Sequence, residues 1–247
     1  MKVFRGVAAA ALLLGLCGCR ATAGASAGPT SASAPASEAV PITPLDGSRL
    51  LTSATGNAMA AGSVTTELKA VMMGQPVTGT ISVDASRHCV GSLDLAKRGP
   101  IDFLSDGTRV WLKGGSRLWG AERAAVIGDR YITGPESNGL FGSVTVFCSL
   151  ADRVLAGDFG LGEVTGRTGL RTGATTTVVL VDRDGSQADV TDTTTPYVTR
   201  LRSGRDMEPF DFTYRDYGKP VVLTPPPAEA AVDVATALPA PGEQNGG

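Results

Sequence analysis

The chain has 247 residues, 22 Lys plus Arg against 24 Asp plus Glu, and a formal net charge of −2, with 42% hydrophobic and only 5% aromatic residues. No Lys/Arg cluster and a mildly acidic balance exclude nucleic acid and anionic lipid headgroups as electrostatic targets. A single histidine and four cysteines leave little material for metal or triad chemistry.

The first residues, "MKVFRG" then "VAAAALLLGL", put Lys2 and Arg5 ahead of an apolar run too short to span a bilayer, the pattern of an export signal. The run ends in Leu16-Cys17-Gly18-Cys19, which matches a bacterial lipobox. Cleavage before Cys17 would place bulky Leu16 at the minus-one position. Cleavage before Cys19 places Gly18 there, so Cys19 is the expected lipidation site and residues 1–18 the signal peptide. The alternative is a plain secretory signal that happens to contain cysteines. Two or more acyl chains on one sulfur make a stable anchor where a single chain holds only marginally. The expected location is therefore the extracytoplasmic face of the cell membrane.

Residues 19–41, with "RATAGASAGPTSASAPASEAVP" after the cysteine, hold too few large apolar side chains to repay ordering, and predict a flexible tether. The folded domain is expected over 42–235, with a tail over 236–247. A helix is predicted in "GSRLLTSATGNAMAAG", with Asp46 or Ser48 near its N-cap.

Period-two alternation then begins. Leu68 shares a face with Val64 and Met72; Ile81 with Val77 and Val83; Leu93 with Leu95; Phe103 with Ile101; and Val110 with Leu112. Turns at Gly74-Gln75, Gly99-Pro100 and Asp106-Gly107 separate these segments, so an antiparallel meander with one greasy face is expected. "SRLWGAERAAVIG", containing Trp119, and "LFGSVTVFCSLADRVLAG" read as helical. A second meander follows, in which Leu201 opposes Arg200 and Arg202, and Phe210, Phe212 and Tyr214 oppose Asp211, Thr213 and Arg215. Strands, helices and strands make an α+β domain whose helices must cover the apolar face.

Cys89 and Cys148 remain once the signal and anchor are set aside. An even pair outside the cytoplasm reads first as a disulfide. Two free buried thiols or a metal pair are the other readings, and the chain has no C-x-x-C spacing to favour metal. No cofactor motif and no catalytic constellation appears: H-E-x-x-H and Walker loops are both missing. His88 reads as a solvated turn residue, and the Asp182/Asp184 and Asp189/Asp192 pairs as solvated hairpin turns. An enzyme is not expected.

In order and texture the chain resembles the actinobacterial LppX/LprG-type lipoproteins with the LolA/LolB-like fold. The segments that carry this are "VWLKGGSRLWG", "RYITGP" and "FDFTYRDYGKPVVLTPPP", over about residues 44–233, with a departure at Tyr131, where Trp is common. The Cys89/Cys148 placement is similar to relatives with one bridge. The resemblance implies a curved antiparallel half-barrel sheet with helices packed on its concave face. It further implies a lipid or lipid-like ligand held between sheet and helices, and carriage or presentation of that ligand.

Leu68, Ile81, Leu93, Phe103, Val110, Leu112, Trp119, Leu201, Phe210 and Phe212 would then line a lipid cavity. Their other reading is ordinary core. Small inward residues, Thr66, Ala70, Gly79 and Gly91, fit a hollow and fit sheet bending equally well. A second class of function is a tethered interaction or sensor module for a membrane-protein or cell-wall partner, with no lipid transport. Cys19→Ala is expected to release the folded protein into the medium and to abolish incorporation of labelled palmitate. Retention of the label by Cys19→Ala would move the lipidation site away from Cys19.

Overall fold

The computed structural model describes residues 38–41, 44–165, 168–172, 175–204 and 208–238. Cys19 lies outside them. Strand β1 (Glu38–Pro41) and helix α1 (Pro44–Ala61) lead into β2 (Ser63–Met72), β3 (Gln75–Asp84), β4 (Cys89–Asp94), β5 (Pro100–Ser105) and β6 (Arg109–Gly114). Then come α2 (Ser116–Trp119), α3 (Ala121–Ile127), β7 (Tyr131–Pro135) and α4 (Gly142–Asp152). The chain continues through β8 (Thr168–Thr172), β9 (Thr175–Val181), β10 (Gln187–Asp192), β11 (Val198–Arg202), β12 (Phe210–Arg215), β13 (Ala231–Asp233) and α5 (Val234–Ala237).

The alternating segments became strands because each can put every second side chain into a shared core while its ladder satisfies the backbone. Both expected meanders form, and β12 joins them by pairing antiparallel with β2, Phe212 opposite Leu68. The thirteen strands seen among the described residues run in the order β1-β8-β9-β10-β11-β12-β2-β3-β4-β5-β6-β7-β13. Strand β1 comes from the end of the segment read as tether, and β13 joins β7 in parallel. Helix α1 starts at Pro44, two residues before Asp46, which therefore sits in the first turn, where a carboxylate suits the helix dipole.

Cross-strand register lines up the inner face. One row runs Leu180, Ala188, Leu201, Phe212, Leu68, Gly79, Leu93, Ile101. The next runs Tyr214, Thr66, Ile81, Gly91, Phe103, Leu112, Ile132. The opposite face is a charged ladder, in which Arg200 Nε donates to Asp211 Oδ1 at 2.7 Å and Arg215 Nε to Glu67 Oε1 at 2.8 Å.

One expectation is overturned here. The sheet is not a curved LolA/LolB-like antiparallel half-barrel. It is open, neither closed nor strongly curled, and mixed, because its last strand pairs in parallel. The inward glycines show how the interior is filled. A Cβ on Gly91 would stand 2.1 Å from Phe103 Cζ, and one on Gly79 would stand 2.1 Å from the Ser92 carbonyl and 2.8 Å from Leu93 Cδ2. These glycines let the neighbouring strands' large side chains lie over the backbone. They fill the interior where a hollow was expected.

Gly91→Ala forces Phe103 from its place and is expected to destabilise the fold by about 1–3 kcal/mol. Gly56→Ala, on the exposed face of α1 with no atom within 4 Å of the new methyl, is expected to stabilise it by about 0.5–1 kcal/mol. Urea midpoints measure both. Equal midpoints for Gly91→Ala and wild type would contradict the packing described.

Candidate functional site

Seven of the ten residues expected to line a cavity are packed core. Leu68, Ile81, Leu93, Phe103, Val110, Leu112 and Trp119 are all buried, and the Trp119 indole donates to the Gly114 carbonyl at 2.8 Å. On the inner face, Leu68 and Ile81 border a void of about 10 Å³. The other three, Leu201, Phe210 and Phe212, lie together at one end of the inner face, where a cleft of about 530 Å³ opens to solvent.

Its floor is built by β2, β11 and β12, which bring Ala70, Leu201, Phe210, Phe212 and Tyr214 to one face. Phe210 and Phe212 stack with centroids 4.8 Å apart, and Tyr214 meets Phe159 edge-on at 6.3 Å. Leu150 of α4 and the turn that follows α4 supply the facing wall. That turn is tied by Asp158, whose carboxylate accepts from Arg153 Nε and from the Gly160 N–H, both at 2.9 Å. The Arg153 guanidinium, with the Gly160 amide, holds the Asp158 carboxyl below its usual range. Burial pushes the Tyr214 phenol well above its ordinary value, so it stays neutral. The result is an apolar trough with a self-compensated charge pair on its rim.

Sequence reasoning missed Leu150, Arg153, Asp158 and Phe159. Tyr214 had a signal, since it alternates with Phe210 and Phe212. Phe159 stands between Asp158 and Gly160 in a turn and carries no periodicity.

Helix α4 is fastened to the sheet by the Cys89–Cys148 bridge, with Cα atoms 6.0 Å apart. Beside it a polar hollow of about 80 Å³ is lined by Asp84, Arg87, His88 and Glu136 among others. Its groups are already engaged. His88 Nδ1 lies 3.0 Å from Asp84 Oδ2, Asp84 Oδ1 accepts from the Ser86 and His88 amides, and Arg87 pairs with Glu136 at 2.8 Å. Asp182, from a hairpin pair, is buried and accepts from the backbone N–H groups of Gly162, Asp184 and Ser186. Its carboxylate shapes a turn. Among the described residues no group of three or more His, Cys, Asp or Glu could hold a metal ion, and no helix is long and apolar enough to cross a membrane.

No family model and no curated protein matches the chain. Among solved structures it is similar to the crystal structure of LprF from Mycobacterium bovis, at 12% identity over 74% of this chain and 97% of that one, with a TM-score of 0.48. It is also similar to that of an uncharacterized conserved protein from Thermus thermophilus, at 9% identity over 76% and 99%, with a TM-score of 0.36. At these TM-scores neither likeness bears on ligand or mechanism.

The bridge spans a sequence separation of 59 residues, so the double variant Cys89→Ala/Cys148→Ala is expected to lose about 4 kcal/mol of stability in the chain-entropy account. Hydrogen exchange should rise first along α4 and the cleft wall after it. Unchanged urea midpoints and exchange would show that the bridge does not hold this wall.

Proposed function

We propose that the protein is an extracytoplasmic lipoprotein whose domain is a tethered recognition module, a sensor or docking domain rather than a lipid carrier. The anchor is the lipobox at Cys19, and the Ala/Ser/Pro-rich residues between it and β1 are the tether. The observation that carries this reading is the filled interior: the inner-face side chains that would enclose acyl chains are packed against one another, and the apolar opening lies at the sheet's end, exposed to solvent.

A carrier must hide a ligand while moving it through water. An open trough does not. At about 0.8 kcal/mol per buried methylene, less several kcal/mol for lost freedom of motion, a partly exposed apolar group binds reversibly and leaves quickly. That suits a domain that samples what is at the membrane surface. The volume falls within the range of small-molecule sites, and the charged groups at the mouth leave the floor free for apolar contact.

The test pairs retention with affinity. Protein purified from its native membrane without detergent exchange is expected to carry no stoichiometric lipid by native mass spectrometry. The same protein is expected to bind dodecanoic acid reversibly, with affinity at least tenfold weaker in Ala70→Phe, whose ring fills the floor. Stoichiometric retained lipid would make it a carrier. Equal binding by Ala70→Phe would move recognition elsewhere.

A further inference from the structure

Thr66, on β2, is 3% exposed, and its hydroxyl has no hydrogen-bond partner. It lines the small void together with Leu68, Ile81 and Phe147, and every other side chain lining that void is apolar. The void shares Ala70, Met72, Leu150 and Phe212 with the open cleft, so only side chains divide the two. Thr66 therefore sits at the inner end of a passage whose outer part is the trough.

An orphan hydroxyl inside a core works against folding, and valine would fill the same shape without that penalty. Water is a poor remedy. The void, about 10 Å³, holds one molecule at most, and a buried water needs two to four polar partners where Thr66 offers one. The hydroxyl is placed for something that enters from the cleft.

We propose that the cleft receives a linear amphiphile bearing a neutral hydroxyl or carbonyl oxygen at its inserted end, and that Thr66 hydrogen-bonds that oxygen. This rests on the recognition reading of the cleft and names the chemistry it selects. Rotation of Phe212 and Leu150 into neighbouring staggered rotamers opens the way for the shaft. A charged tip is rejected, because burial there would strip its water with no counter-charge among the void's side chains. The headgroup stays at the mouth, beside Arg153, Asp158 and Glu208. Tyr214, opposite Thr66 in register, lines the open cleft with a phenol that stays protonated.

Calorimetric titration of the whole folded chain with dodecanoic acid and 12-hydroxydodecanoic acid tests this. Wild type is expected to bind the hydroxy acid about fivefold more tightly, the scale of one neutral hydrogen bond. Thr66→Val is expected to reverse the order, since the tip hydroxyl is then buried unpaired, and to raise the urea midpoint of the free protein. Thr66→Ser is expected to keep the wild-type order. Equal or tighter binding of dodecanoic acid by wild type, or an unchanged preference in Thr66→Val, overturns the inference while leaving the cleft as a recognition site. Binding of neither acid overturns the cleft reading and this inference together. The wild-type comparison stands even if Thr66→Val fails to fold.

Discussion

Side chains from one strand lying over the bare backbone of the next are the contact on which this molecule depends. Phe103 occupies the space over Gly91, and Leu93 the space over Gly79. Each ring or branch so placed is buried on the inner face of the sheet, and the interior closes without a central hollow. Close packing of this kind makes a core intolerant of even one added methyl group. It also decides where a ligand can go: only where the packing stops.

It stops at the ends of β2 and β12. There Phe210 and Phe212 stack on each other, and α4 with its following turn provides a wall. The wall is held at two points, covalently through Cys148 and by the Arg153–Asp158 pair that shapes the turn. Both sit on the same short stretch of chain. A wall fixed to a rigid sheet at one end and finished by a turn at the other gives an opening of stable width. Thr66 adds polarity to its inner end, and Tyr214, its cross-strand partner, lines the open part.

Much of the fold was legible in alternation. The five segments from Ser63 to Gly114 and those closing the chain became strands, and the inner face is the one the pattern selected. The open sheet with its filled interior was not legible, because Gly79 and Gly91 look the same in sequence whether they bend a strand, hollow a cavity or admit a neighbour's side chain. The register that sets Gly91 against Phe103 separates these cases, and register is a property of strand pairs. The site was half legible for the same reason. Leu201, Phe210 and Phe212 were singled out as apolar, yet so were seven residues that turned out to be core, and nothing local distinguishes a floor from a filled interior.

By itself, the sequence determined which residues face inward, where the turns fall and which two cysteines were left to pair, because periodicity, turn chemistry and composition act over a few residues at a time. Only the tertiary structure decided that β12 joins β2, that the sheet stays open and that the interior is filled. It alone left the Thr66 hydroxyl without a partner beside an apolar cleft. Each of these depends on side chains far apart along the chain meeting at particular distances, and no short stretch of sequence contains both halves of such a contact.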